Sequence, residues 1–105
     1  MALQELQKEV DIWISGYKIG YFKPLEIMAR LTEETGELAR ELNHRYGPKI
    51  KKSTEDKIDM EDEAADMIFT LICLANSLNL DLDAGFKRAM NKCYGRDVNR
   101  WEKKE

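Results

Sequence analysis

At 105 residues, with 17 Lys and Arg against 20 Asp and Glu for a formal charge of −3, the chain is the length of one domain and has no general attraction for nucleic acid. Charged residues make up 35% and there are only two prolines, a balance that points to helices with solvated faces and away from disorder. The longest apolar run, Met67 to Ala75, is too short to span a bilayer. The first residues do not read as a secretory signal, and Cys73 and Cys93 show no C-x-x-C spacing. The expectation is a single reduced, cytoplasmic domain over residues 1–105, with no membrane or nucleic-acid partner.

Residues 2–15 predict a first helix, since Leu3, Leu6, Val10, Trp13 and Ile14 recur at helical spacing and Gly16 offers a stop. The segment 17–23 is a loop with three aromatics. Trp13, Tyr17, Tyr21 and Phe22 are candidates to stack on a nucleobase, although the spacing of Trp13 favours the core, and rings in such a loop more often seal a bundle end.

A second helix starts at Pro24, where a missing N–H costs nothing, and runs to about Tyr46. Ile27, Met28, Leu31, Thr35, Leu38 and Leu42 form its apolar stripe. Glu34 lies at the edge of that stripe and Glu37 further toward the polar side. Gly36, mid-helix, costs about 1 kcal/mol relative to Ala; close approach of a neighbouring helix or ligand would explain it, and so would packing alone. Gly47-Pro48 ends the helix. Arg45, Lys49, Lys51 and Lys52 then form a basic stretch, either solvated surface or within reach of substrate phosphates.

The third helix takes Ser53 or Thr54 as N-cap and runs to about Leu78, with Met60, Ala64, Met67, Leu71, Leu74 and Leu78 on its stripe. After Asp66 it is apolar almost all round, more than one neighbouring layer can cover. A homo-oligomer, built on a two-fold axis as a homodimer or homotetramer, is the natural consequence. Asp81 caps a fourth helix, in which Leu82, Phe86, Ala89, Met90 and Cys93 are positioned to pack inward while Lys87, Arg88, Lys92 and Arg96 make it basic. Gly95 ends or kinks it, and the tail is charged, with Trp101 available to dock.

The chemistry lies in two carboxylate pairs. Glu34 and Glu37, and again Glu63 and Asp66, are three residues apart and so are neighbours on a helix surface. If the two helices pack antiparallel, four carboxylates converge. They would repel at close range unless a hard divalent cation sits among them, and Mg²⁺ takes oxygen ligands while keeping water for chemistry.

Glu33-Glu34-Thr35-Gly36-Glu37, followed by Glu63-Ala64-Ala65-Asp66 and an apolar run, resembles the E-E-x-x-E … E-x-x-D signature of the MazG-like nucleoside triphosphate pyrophosphohydrolases. The resemblance covers roughly residues 25–96. It implies an all-α bundle of four to five helices, completed by oligomerisation. It also implies a Mg²⁺-dependent enzyme, with Mn²⁺ able to substitute, that cleaves a nucleoside triphosphate between its α- and β-phosphates to give monophosphate and pyrophosphate, a reaction suited to clearing the nucleotide pool. By position, Glu34, Glu37, Glu63 and Asp66 would be the metal ligands. Glu33 would be a further ligand, a support for one, or the base that orients water, which makes Glu33 and Glu34 the candidate catalytic residues. Asn91, Lys92 and Arg96 occupy the place that faces the phosphates in this family, and Trp13 is the candidate base-stacking residue. The chain has no P-loop, so phosphate binding must run through metal, lysine and arginine.

Three other readings compete. A di-iron bundle needs two Glu-x-x-His motifs, and Glu41-x-x-His44 is alone. A phosphoribosyl-ATP pyrophosphohydrolase would share this kind of site with a different substrate. A helical interaction module would leave the acidic ladder as a solvated face.

Overall fold

The computed structural model describes residues 2–48 and 57–104, and within them the protein is all-α. The helices are α1 (Leu3–Ile14), α2 (Pro24–Tyr46), α3 (Lys57–Ser77) and α4 (Leu82–Tyr94). The expected Ser53 or Thr54 cap and the lysines 49, 51 and 52 lie outside the described residues.

The starts of α1, α2 and α4 are held by local chemistry. Ala2 and Lys23 offer no capping side chain, so the acid three residues on does the work: Ala2 N–H donates to Glu5 Oε1 at 3.3 Å and Lys23 N–H to Glu26 Oε1 at 3.0 Å. At α4 the expected cap forms, with Asp81 Oδ1 accepting from Ala84 N–H at 3.1 Å. Asp83, one residue into α4, accepts from Leu3 N–H at 3.0 Å and Gln4 N–H at 3.1 Å. Those are two of the orphan donors at the start of α1, so an anion from the far end of the chain satisfies the positive end of the first helix. Gly47 closes α2 through its N–H to Asn43 O at 2.9 Å, and Gly95 closes α4 in the same way on Asn91 O.

α2 and α3 form the central antiparallel pair, since Glu34 and Glu37 meet Glu63 while Ile27 shares a cavity wall with Thr70 and Cys73. α1 lies against α3. The chain bends by 112° between α3 and α4, so α4 leaves the pair and leans on α1. No single described helix is long and apolar enough to cross a membrane.

The core is small. The buried apolar residues are Ile27, Ile72, Cys73 and Ala75. Several stripe residues that the periodicity places inside are exposed in this single chain, including Met28, Leu42, Leu71 and Leu78. Leu82 and Met90 of α4 are half-buried, but Phe86, Ala89 and Cys93 face out. Trp101 does not dock; its ring carries the Arg100 guanidinium 4.9 Å from its centroid. An added Cβ at Gly36 would meet nothing within 4 Å, so among the described residues no element makes the close approach its position suggests.

Candidate active site

Glu34 follows Ile27 by seven residues, so the same face of α2 that buries Ile27 turns Glu34 into the α2–α3 seam, where it is only 7% exposed. Carboxylate oxygens of Glu34, Glu37 and Glu63 all lie within 4.8 Å of one another. Two of them, Glu34 Oε2 and Glu63 Oε2, are buried with no hydrogen-bond partner. An ionised oxygen in that position is costly. The carboxyl of Glu63 is accordingly pushed above its usual range. Burial is the main cause; its hydrogen bond with Glu37 and the negative charges of Glu37, Asp66 and Glu34 follow. A bond between two carboxyl groups requires a proton on one of them, or a cation in its place.

These residues fit a hard divalent cation: three carboxylates converge from two rigid helices, and two of their oxygens lack any other partner. Asp66 stands apart from the trio. It adds its charge at Glu63 and lines the adjoining cavity, while its backbone carbonyl accepts from Thr70 Oγ1 at 2.8 Å. Glu33 is exposed on the cavity wall.

The cavity, of about 880 Å³, opens beside Glu34 and Asp66 and runs toward the start of α2. That volume suits a drug-sized or nucleotide-sized ligand. Trp13, Tyr17, Tyr21, Phe22 and Phe69 wall its far part. Trp13 meets the edges of Tyr17 and Phe69 at centroid separations of 5.2 and 6.0 Å, and it is 55% exposed, so it is a cavity wall and not the core residue its spacing favours. Cys73 lies on the cavity floor, where burial pushes its thiol up and keeps it protonated.

The aromatic loop is tied down from below. Tyr21 donates its hydroxyl hydrogen to Asp11 Oδ1 at 2.7 Å and accepts from Asn76 Nδ2 at 2.9 Å. Asn76 also exchanges bonds with Gln7, donating to its backbone oxygen and accepting from its Nε2, both at 2.9 Å. Gln7 in turn reaches the α3–α4 connection at Leu80 O and Leu82 N. Burial, with help from Asp11, raises the Tyr21 hydroxyl to about 12, so it stays a donor at any physiological pH. Gly20 beside it has φ +66°, a conformation that favours glycine, and lets the loop turn.

Of the residues singled out from sequence, the fold brings Glu34, Glu37 and Glu63 together, sets Asp66 and Glu33 beside them on the cavity, and places Trp13 on its wall. Asn91, Lys92 and Arg96 are exposed on α4 and just after it, outside the cavity lining. Arg96 faces Asp97, with Nε 3.4 Å from its carboxylate. Arg30, Phe69, Thr70 and Cys73 line the cavity without having stood out in the sequence.

A model of the MazG nucleotide pyrophosphohydrolase domain matches residues 22–101. The YpjD protein of Bacillus subtilis (strain 168) is 55% identical over 104 residues, 99% of this chain and 94% of its own length. The crystal structure of YpjD superposes with a TM-score of 0.82, covering 88% of this chain and 94% of that one. The Bacillus-conserved MazG protein, a nucleotide pyrophosphohydrolase, superposes with a TM-score of 0.76 at 50% identity, covering 88% of each chain. The all-α fold agrees with these matches, and the chain belongs to the MazG nucleotide pyrophosphohydrolase family.

Proposed function

We propose that the protein hydrolyses a nucleoside triphosphate between its α- and β-phosphates, in a Mg²⁺-dependent reaction that releases monophosphate and pyrophosphate. The observation that carries this reading is the Glu34–Glu37–Glu63 cluster, with its two orphaned oxygens, opening onto a cavity walled by aromatic rings. The rings offer faces and edges to a nucleobase, and the carboxylates lie where a polyphosphate chain would pass.

Glu34, Glu37 and Glu63 would hold the metal, with Asp66 beside them to complete or support the set. Bound there, Mg²⁺ would offset the charge of the phosphate oxygens and lower the pKa of a bound water; Mn²⁺ would serve in its place. Glu33, exposed on the cavity wall next to Glu34, is free to take the water's proton. The aromatic wall fixes the nucleoside end, and so aligns the α-phosphorus with the attacking water and the leaving pyrophosphate.

The working enzyme in this reading is a cytoplasmic homo-oligomer, with the dimer as its unit. Ile68, Leu71 and Leu78 of α3 and Phe86 of α4 are exposed apolar side chains that a second subunit would cover.

The test is product analysis by ion-exchange chromatography, over the common ribo- and deoxynucleoside triphosphates and phosphoribosyl-ATP, with and without Mg²⁺. Glu34→Gln runs beside the wild type. Monophosphate and pyrophosphate, absent in the variant, are the expected products. Diphosphate and orthophosphate would contradict the reading, as would turnover that persists in the variant.

A further inference from the structure

Among the described residues that line the cavity, Arg30 is the one cation. The expected phosphate-binding side chains are elsewhere in this chain, so the question is what Arg30 does there. Its Nε donates to Glu34 Oε1 at 3.1 Å, an i, i+4 pair on α2. That bond uses one of five guanidinium N–H groups. The two terminal nitrogens have no partner among the described residues, and the side chain is 67% exposed. Glu34 is buried, but the guanidinium lies largely in water, which screens the pair.

Position gives the pair a different meaning. Arg30 stands one turn, about 6 Å, before Glu34 toward the start of α2. On that side, Tyr21, Phe22, Glu26 and Ile27 line the cavity's aromatic part. On the other side stand Glu34, Glu37 and Glu63. A nucleotide laid with its base against the rings and its β- and γ-phosphates past the carboxylates brings its first phosphate to Arg30. A planar guanidinium fork suits two oxygens of one phosphate.

We propose that Arg30 is a substrate-binding residue: its terminal nitrogens take non-bridging oxygens of the α-phosphate, while its Nε stays on Glu34 Oε1 and leaves Oε2 to the metal position. The inference rests on the nucleotide reading above. It makes Arg30 the link between base site and metal site, acting within one chain.

The contact is to a phosphate that the monophosphate product keeps and pyrophosphate lacks. Titration calorimetry with Mg²⁺ present therefore compares AMP, UMP and inorganic pyrophosphate on wild type, Arg30→Gln and Arg30→Lys. Melting curves confirm that each variant is folded, and Arg30→Lys keeps the charge if Arg30→Gln is too unstable. Arg30→Gln is expected to weaken monophosphate binding about tenfold or more while pyrophosphate stays within about twofold, and Arg30→Lys to recover only part of the loss. Mg²⁺ binding without nucleotide is expected to hold or tighten in Arg30→Gln, because Glu34 Oε1 is released. Equal weakening of Mg²⁺, pyrophosphate and monophosphate would show that Arg30 only positions Glu34, and the proposal would fall. It would also fall if monophosphate binding were unchanged, or undetectable in the wild type. Wild-type binding without hydrolysis to monophosphate and pyrophosphate would count against the reaction and leave the phosphate contact standing.

Discussion

Glu34 and Glu63 each bury an oxygen that no other described group satisfies, in a chain whose core is small. At this scale the site is a source of instability that a cation removes. The proton is a second, weaker remedy. Because the folded protein holds the Glu63 carboxyl above its usual range, it binds more protons there than the unfolded chain does. Metal-free stability is therefore expected to fall as pH rises from the ordinary carboxylate range through the raised value of Glu63. Melting curves in chelator should show this, and saturating Mg²⁺ should flatten it. Glu63→Gln, neutral at every pH, should melt higher than wild type in chelator near neutral pH, lose the pH slope, and gain nothing from Mg²⁺. A lower melting temperature in chelator would mean that the cluster is already satisfied without metal.

The edge position of Glu34 follows from helical period alone, since Ile27 seven residues earlier sets the face. Arg30 has no such signal. Its i, i+4 spacing to Glu34 is common on solvated helices, and only the cavity that α1, α3 and the aromatic loop close around it distinguishes the two cases. Trp13 misleads for a related reason: it keeps core spacing on α1, but the layer beyond it is a cavity.

Among the elements, the connections do more than join helices. The Asp11–Tyr21–Asn76–Gln7 set holds the aromatic loop to α1 and α3, and Asp83 ties the start of α1 to α4. Asn76→Ala removes three of these bonds and is expected to cost about 1–3 kcal/mol by denaturant unfolding. Tyr21→Phe, which keeps the ring, should cost less. If both were neutral, the loop would be held by ring packing instead. These ties were not legible beforehand, because a glutamine or asparagine on a charged helix carries no mark of a partner some seventy residues away. The helices themselves were legible, through Pro24, Asp81, Gly47 and Gly95 at their ends. Gly36 is informative for a different reason. With open space around it in this chain, Gly36→Ala should stabilise the protein by about 1 kcal/mol, measured by calorimetry. A loss of stability, or dissociation of the oligomer, would place a second subunit's helix against that position.

For the whole molecule, α3 and α4 leave large apolar side chains exposed in the single chain. The all-round apolar stretch after Asp66 already signals a missing layer, which the proposed second subunit would supply. Leu71→Lys or Ile68→Glu is expected to convert the oligomer to a monomer, or to abolish folding, in sedimentation velocity. A wild type that sediments as a monomer at micromolar concentration would contradict the dimer.

In the proposed reaction water attacks the phosphorus nearest the nucleoside, since the aromatic wall would hold the base on one side of that atom and the carboxylates the metal on the other. Hydrolysis of the best-turned-over triphosphate in ¹⁸O-labelled water, with Mg²⁺ and mass-spectrometric analysis of both products, tests it most directly. The label is expected in the monophosphate, with unlabelled pyrophosphate. Label in the pyrophosphate would put the attack on the β-phosphorus and contradict the account.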